Sequence, residues 1–327
     1  MGCARAERLG YGPLVSGPTL FEGLRWRTVG LPGSPSTGTL SLHLGEVGTT
    51  GPHALLASGV HGDEGPWGAL ALREALSVPL GTLEGRLSVV LAANPLAAQA
   101  DARNAPPDTL DLNRSFPGNA NGSHTERLAA ALAPLAEACD VAVDLHGGGS
   151  WCVNAFAFRF AGSEALAEAV GAPLLVDAPD KAGTLTQYAR AHGARVVAVE
   201  MGGRSRDELR WQGRLSAGVQ NVLRLEGVLA GEVGAPQPGL AVGPSAVLRP
   251  PLGGVFVPTL REDAVGTVVP GGTELGRVLD LHTLQLRHTF VAPYPQTALL
   301  LLRPHVCVLA GGDMSYVVAE PVAAGAR

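Results

Sequence analysis

The segment HALLASGVHGDEGPWGALALREAL, residues 53–76, joins an apolar run to a stretch of helical periodicity through a turn of ionisable residues. The run at 53–60 is continuous rather than alternating, which is typical of a strand buried on both faces of a sheet. Pro66 suits the first turn of a helix, and a helix is predicted after it. A buried strand followed by a helix is the unit of an α/β fold. His61 and Glu64 lie in the turn between this strand and the predicted helix.

The same alternation continues to about residue 230. Apolar runs rich in Val and Leu predict further strands at 86–95, 140–147 and 194–203, and Ala/Leu-rich stretches predict helices at 65–76, 124–138 and 163–170. The first ~50 residues are predicted to form strands and turns that lead into this sheet. The predicted fold class is therefore α/β, with a mixed, mostly parallel sheet and helices on both faces, in a domain at 1–235.

The composition changes near residue 231. The segment GEVGAPQPGLAVGP at 231–244 is rich in Gly and Pro and is typical of a linker. Short β-like runs follow, broken by Gly and Pro and without a helical pattern. They predict a small, all-β, C-terminal domain at 240–327.

Composition and charge exclude several classes of function. The chain has 327 residues, of which 46% are hydrophobic and 16% charged, with a net charge of −5. No cluster of basic residues predicts a nucleic-acid partner, and no apolar stretch reaches the ~18 residues of a membrane helix. The N-terminus lacks the apolar core of a secretion signal, so a cytoplasmic location is expected. Lys181 is the single lysine, which we interpret as a compositional bias toward Arg.

Polar residues follow the predicted strands at their carboxyl ends, where α/β sheets form their sites. His61 and Glu64 end the first strand, His146 ends a second, and Glu200 ends a third. Two imidazoles and one carboxylate, with one position left for water, are the ligands of a catalytic zinc ion. Any one of these histidines alone would fit an ordinary hydrogen-bonded strand end, so the prediction depends on their joint occurrence.

Two carboxylates have predicted roles beside this site. Asp144 lies two residues before His146 on the same side of an extended strand, where it can accept the second N–H of the imidazole. Glu200 follows a buried apolar run, and burial raises the pKa of a carboxyl group toward the range of a general base. The alternative interpretations are that Asp144 caps a loop at the end of its strand and that Glu200 is a solvated residue at the end of its own.

The polar, Pro-rich segment at 101–118 carries Arg103 and Arg114 as its only cations, with Asn113 beside the second. Guanidinium groups suit the binding of a carboxylate or the support of a developing oxyanion. A surface loop is the alternative interpretation.

Five motifs in order resemble one known family. They are HGDE at 61–64, ANP at 93–95, RNAPPDTLDLNRSFPG at 103–118, DLH at 144–146 and VEMG at 199–202. Together they are similar to the succinylglutamate desuccinylase/aspartoacylase family, a branch of the zinc carboxypeptidase fold.

The resemblance implies a role at each matching position. His61, Glu64 and His146 match the ligands of one zinc ion per chain, Glu200 matches the general base and acid, and Arg103 matches the residue that polarises the scissile carbonyl. Asn113 and Arg114 match the pair that binds the α-carboxylate of the substrate. Arg190 matches a substrate-binding arginine of the family only by its spacing in the sequence.

The implied activity is that of a zinc-dependent amidohydrolase, which cleaves the amide bond of an N-acyl amino acid by Glu200-assisted attack of zinc-bound water. The acyl group and the amino acid are left open. The alternatives are a zinc carboxypeptidase that acts on peptides and a non-catalytic binding protein with the same fold. The expected partner is a small-molecule substrate, with no nucleic acid and no membrane, and homo-oligomer formation is left open.

The C-terminal segment resembles the barrel-sandwich pattern of lipoyl-like domains. Swinging carriers attach their cofactor to a lysine, and residues 240–327 contain none. A carrier role is therefore excluded, and a lid, a gate or an oligomer contact is predicted for this domain.

Overall fold

The computed structural model describes residues 17–31, 40–179, 181–203 and 208–322. The strands are β1 (Arg25–Leu31), β2 (Leu40–Val47), β3 (His53–Ser58), β4 (Arg86–Val90), β5 (Val141–His146), β6 (Val153–Arg159), β7 (Leu174–Asp177), β8 (Arg195–Gly202), β9 (Leu240–Val242), β10 (Ala246–Leu248), β11 (Gly254–Pro258), β12 (Val268–Pro270), β13 (Glu274–Leu279), β14 (Leu286–Val291), β15 (Gln296–Leu302), β16 (Cys307–Leu309) and β17 (Tyr316–Ala319). The α-helices are α1 (Trp67–Ala75), α2 (Pro95–Gln99), α3 (His124–Ala138), α4 (Glu164–Ala169), α5 (Leu185–Ala191) and α6 (Glu208–Leu225).

The main sheet has 13 strands, ordered β1-β2-β4-β3-β5-β8-β6-β15-β17-β10 along its principal path. Its centre, β4-β3-β5-β8, is parallel and contains the four strands predicted from the apolar runs. Antiparallel strands extend it on both sides, β2 and β1 beyond β4, and β6 beyond β8. The sheet is therefore mixed, as predicted, with its parallel part at the centre. Of the predicted N-terminal strands and turns, residues 1–16 and 32–39 lie outside the described residues.

Helices cover both faces of this sheet, which confirms the predicted α/β class. Alternate residues of β3 face opposite sides, so that Ala54 and Leu56 join the cluster under α1, α4 and α6. Leu55 and Ala57 join the other cluster, under α3 and α5. A strand buried on both faces needs apolar side chains in succession, and this requirement explains the unbroken run in the sequence.

The C-terminal segment contributes to two sheets. Four of its strands form the separate antiparallel sheet β14-β13-β11-β16, as predicted. The other five, β9, β10, β12, β15 and β17, instead extend the main sheet, because β15 pairs with β6 and β9 pairs with β7. A division of the chain near residues 235–240 stays a prediction, since strands from both sides of that point build the main sheet.

Helix α3 shows how local signals set element boundaries. Ser123 accepts a bond from the main-chain N–H of Glu126, whose side chain in turn accepts from the N–H of Ser123, which is a complete capping box. Pro134 does not end the helix, which continues to Ala138. Leu132 and Leu135 are buried on either side of it, and their packing offsets the lost main-chain hydrogen bond.

The parallel centre decides where a site can form. The carboxyl ends of parallel strands lie at one edge of the sheet, so the residues after β3 and β4 and at the ends of β5 and β8 are neighbours. His146 and Glu200 are paired in register on β5 and β8, and their side chains therefore point to the same face. Within the described residues, no helix is both long and apolar enough to span a membrane.

Candidate metal centre

The turn after β3 aims two side chains at one point. Residues 62–64 form a single 3₁₀ turn between His61 and Gly65. A Cβ on Gly62 would lie 2.0 Å from the carbonyl carbon of Ala97, so only glycine fits where the turn passes α2. Gly65 has φ +80°, a left-handed conformation that glycine adopts without steric cost. The two glycines let the chain fold tightly enough to bring His61 and Glu64 together.

His61, Glu64 and His146 converge as a buried cluster, and one ligand atom from each lies within 4.8 Å of the others. Nδ1 of His61 is 2.6 Å from Oε1 of Glu64, and Nδ1 of His146 is 3.1 Å from Oε2. The carboxylate thus lies between the two imidazoles. These three residues could hold a metal ion.

The outer nitrogen of each imidazole faces a carboxylate. Nε2 of His146 is 2.9 Å from Oδ2 of Asp144, which is the contact expected from their spacing. Nε2 of His61 is 3.1 Å from Oδ1 of Asp111. Asp111 was not predicted from the sequence, because nothing there shows that the loop at 101–118 folds back onto the turn after β3. Both histidines therefore have the carboxylate partner that fixes a metal-binding tautomer.

The electrostatics of the cluster match the binding of a cation. Burial alone would raise the pKa of the Glu64 carboxyl, but His146 and His61 beside it hold that pKa down at about 2. Burial likewise opposes charge on the two histidines, yet the carboxylates around them raise the pKa of each, most strongly for His146. The site therefore favours positive charge even where protein excludes water. The donor set of two imidazoles and a carboxylate fits zinc.

Glu200 lies beside this cluster, at the end of β8. Protein surrounds its carboxylate, although part of the residue remains open to solvent. Burial raises the pKa of Glu200 to about 7, and the neighbouring charge of Glu64 adds to the shift. A carboxyl group with this pKa can accept and return a proton near neutral pH.

Asn154 on β6 fixes the orientation of that carboxylate. Its Nδ2 donates to Oε2 of Glu200 at 2.8 Å, and the side chain is buried. The thiol of Cys152 lies 3.7 Å from Oδ1 of Asn154 and donates to the carbonyl of Gly148. β6 was not predicted as a strand from the sequence, and Asn154 was therefore not among the predicted site residues.

Arg103 reaches the metal cluster from the loop at 101–118. Its NH2 donates to Oδ2 of Asp111 at 3.1 Å, and its NH1 lies 3.9 Å from Oε1 of Glu64. The carboxylate of Asp111 therefore connects two candidate site residues. One of its oxygens contacts His61, and the other accepts from Arg103. The pKa of Asp111 is lowered, because the contacts with His61 and Arg103 outweigh its burial.

Asn113 and Arg114 lie on the next turn of the same loop. Oδ1 of Asn113 accepts from the main-chain N–H of Leu185 at 2.9 Å, and Nδ2 lies 3.3 Å from Nε2 of His146. The guanidinium of Arg114 donates to the carbonyl of Asn113 and remains exposed. The structure thus places both residues next to the cluster.

Arg190 is not brought to this cluster. It lies near the C-terminal end of α5, where its guanidinium donates to the carbonyl of Ala161 at 3.4 Å. Ala161 follows β6, whose carboxyl end is at the opposite edge of the sheet because β6 runs antiparallel to β8. A substrate-binding role for Arg190 stays a prediction that these contacts do not support.

Comparison with known proteins places this geometry in a family. Residues 50–226 match the model of the succinylglutamate desuccinylase/aspartoacylase catalytic domain. The chain belongs to this family. The match spans the turn after β3, the loop at 101–118 and the ends of β5 and β8, which are the elements that build the cluster. The family identifies the chain as a relative of deacylases, enzymes that hydrolyse amide bonds.

Individual relatives agree with this assignment. The N-alpha-acetyl-L-2,4-diaminobutyric acid deacetylase of Halomonas elongata is 30% identical over 301 residues, which cover 83% of each chain. The product-bound ectoine utilization protein EutE (DoeB) of Ruegeria pomeroyi is 28% identical, with a TM-score of 0.82 over 91% of this chain and 95% of that one. A succinylglutamate desuccinylase/aspartoacylase of Rhodobacter sphaeroides is 26% identical, with a TM-score of 0.77 over 92% and 96%.

Proposed function

We propose that this protein is a zinc-dependent deacylase that hydrolyses the amide bond of an N-acyl amino acid. The substrate is a small molecule, and the reaction takes place in the cytoplasm. The observation that carries the proposal is the buried convergence of His61, Glu64 and His146 beside Glu200. The family match and the deacetylase relative support amide hydrolysis.

One zinc ion held by the three ligands would supply a Lewis acid, which lowers the pKa of water and polarises a carbonyl group. The carboxylates of Asp111 and Asp144 would keep the imidazoles in the tautomer that leaves Nδ1 free to bind.

Glu200 would move the proton of the reaction. Its carboxylate accepts a proton from the water that attacks the amide carbon, and then gives it to the leaving nitrogen. Because Oε2 accepts from Asn154, Oε1 is the oxygen left for this transfer. A pKa of about 7 makes both halves of the transfer feasible at neutral pH.

The loop at 101–118 would bind and polarise the substrate. Arg103, held by Asp111, can donate to the carbonyl oxygen as negative charge develops on it. Asn113 and Arg114 can bind the α-carboxylate, since they offer an amide and a guanidinium from adjacent positions.

A substrate panel on the zinc-loaded protein tests the proposal. We expect hydrolysis of N-acyl amino acids and little hydrolysis of short peptides, measured as release of free amine. Glu200→Gln should lose at least about a hundredfold in kcat while it keeps one zinc per chain. Full activity of this variant, or a clear preference for peptides, would sink the proposal.

A further inference from the structure

The loop between β5 and β6, residues 147–152, is in contact with the C-terminal segment. Trp151 lies two residues before β6, and the guanidinium carbon of Arg303 lies over its ring, 4.3 Å from the ring centre. Arg303 is the first residue after β15, the strand that pairs with β6. A guanidinium over an indole at this distance makes an attractive cation–π contact. This contact joins the C-terminal segment to the loop that follows the candidate ligand His146.

The guanidinium of Arg303 is itself held in place. Its Nε donates to the carbonyl oxygen of Met314 at 2.8 Å, and its Nη1 donates to Sγ of Cys307 at 4.0 Å. Both partners belong to the C-terminal segment. Arg303 thus connects its own segment to Trp151, and three separate contacts fix its position.

The β5–β6 loop packs tightly against the candidate site. A Cβ on Gly149 would lie 3.0 Å from Oδ2 of Asp63, which belongs to the turn that carries two of the proposed metal ligands. A Cβ on Gly148 would lie 2.0 Å from the carbonyl oxygen of Cys152, so the loop also closes on itself. The thiol of Cys152 donates to the carbonyl of Gly148 across this closure at 2.9 Å. A displacement of the loop would therefore disturb the site beside it.

The loop leads directly to the hydrogen bond that orients Glu200. Sγ of Cys152, the last residue of the loop, lies 3.7 Å from Oδ1 of Asn154, whose Nδ2 donates to Glu200 at 2.8 Å. Cys152 and Asn154 are both buried, and close-packed side chains do not shift without moving their neighbours. A chain of contacts thus runs from Arg303 through Trp151 and the end of the loop to the proposed base.

We propose that Arg303 is a positioning residue for Glu200, and that it acts by holding Trp151 and with it the β5–β6 loop. The inference rests on the proposed deacylase function for its effect on turnover. It gives the C-terminal segment a role other than that of a lid, a gate or an oligomer contact. The segment supports the catalytic site from a fixed place in the sheet, because β15 is paired with β6.

The first test of the proposal is Arg303→Ala, measured as separate values of kcat and KM. We expect kcat to fall about fivefold, in keeping with the strength of a partly exposed cation–π contact. KM should be unchanged, because we propose that the loop at 101–118 binds the substrate. Arg303→Lys keeps a cation that can lie over Trp151 and should recover part of the lost kcat.

The matched control is Arg249→Ala. Arg249 also belongs to the C-terminal segment, and it donates to the carbonyl of Gly312, two residues before Met314. The described residues show no contact between Arg249 and the β5–β6 loop. The control therefore loses an arginine bonded to the same stretch of chain, and it should keep the kcat of the parent enzyme.

The thiol of Cys152 reports the position of the loop without any substrate. Burial protects this thiol in the parent protein, and release of the loop should expose it. Labelling by iodoacetamide, followed by peptide mass spectrometry, should be about tenfold faster at Cys152 in Arg303→Ala than in the parent or in Arg249→Ala. Cys139 is buried in the cluster under α3 and α5, and its labelling should not change. Equal acceleration at both cysteines would show a general loss of stability and would overturn the local role of Arg303.

A double-mutant cycle shows whether Arg303 acts through Trp151. Trp151→Ala should lower kcat about as much as Arg303→Ala, and the double variant should lose no more than either single variant. Losses that multiply in the double variant would overturn the proposal, as would an Arg303→Ala enzyme with unchanged kcat and unchanged labelling of Cys152. If the parent enzyme hydrolyses no N-acyl substrate, the deacylase function is refuted instead, and the labelling rates still test whether Arg303 holds the loop.

Discussion

Nδ2 of Asn154 donates to Oε2 of Glu200 at 2.8 Å, from a strand that runs antiparallel to that of Glu200. Asn154 is buried and comes from β6, which is not one of the strands that carry the metal cluster. This hydrogen bond fixes one oxygen of the proposed base and favours its charged form. Asn154 is therefore a positioning residue for Glu200.

Replacement of Asn154 by Leu should lower kcat by about tenfold, because an unfixed carboxylate reaches the attacking water less often. KM and the zinc content should be unchanged, since Asn154 contacts neither the cluster nor the loop that we propose binds substrate. The variant also loses a hydrogen bond that lowers the pKa of Glu200. The acidic limb of its kcat profile should consequently move to higher pH.

Asn154→Asp separates orientation from packing, because the two side chains have nearly the same shape. A second carboxylate beside Glu200 would raise the pKa of the base, so the acidic limb should move further than in Asn154→Leu. Steady-state rates across pH, with melting temperatures as a check on folding, measure both effects. Unchanged kcat and an unchanged profile in both variants would show that Asn154 only fills space.

The pH dependence of turnover follows from the environment of Glu200. Burial raises its pKa to about 7, and the base accepts a proton only in its charged form. Activity should therefore be full above the pKa of Glu200 and fall about tenfold per pH unit below it. Bound zinc favours the carboxylate, so the midpoint in the loaded enzyme should lie well above 4.5 and at or below about 7. A midpoint near 4.5, the ordinary value for a glutamate, would contradict the role of burial.

Asp111 and Asp144 permit a comparison between the partners of the two histidines that we propose bind the metal. Asp111→Asn and Asp144→Asn should each weaken zinc binding by about ten- to a hundredfold, since each imidazole loses the carboxylate that orients it. Asp111 also holds Arg103 at 3.1 Å, and Asp144 makes no such contact. Asp111→Asn should therefore lower kcat further than Asp144→Asn when zinc is saturating. Chelator competition gives the affinities, and equal rates at saturation would refute the separate role of Asp111.

The sequence predicted those parts of the site that follow buried strands. The runs that end at His61, His146 and Glu200 are unbroken, and parallel strands bring their carboxyl ends to one edge whatever the intervening chain does. The same reasoning cannot locate a loop in space. Asp111 was missed because the fold of a Pro-rich segment depends on contacts distant in sequence.

Strands outside the parallel centre of the sheet were harder to predict. β6 has the sequence VNAFAFR, in which Asn154 and Arg159 interrupt the apolar residues. Its pairing with β8 on one side and β15 on the other is decided by the whole sheet. The C-terminal runs were also predicted as strands. Their sequences did not show that β15 and β17 would join the main sheet, because that pairing too is decided by the whole sheet.

The glycine at position 62 should be essential for the geometry of the metal centre. A Cβ there would lie 2.0 Å from the main chain of Ala97, so Gly62→Ala must displace the turn that holds His61 and Glu64. We expect a loss of about 1–3 kcal/mol in the free energy of unfolding and weaker zinc binding, because overpacking shifts the backbone. Gly81→Ala is the matched control, since no atom lies within 4 Å of its added Cβ and its φ is ordinary. Chemical denaturation and zinc titration of both variants decide the matter: if Gly62→Ala binds zinc as tightly as Gly81→Ala, the close approach of the turn to α2 does not position the ligands.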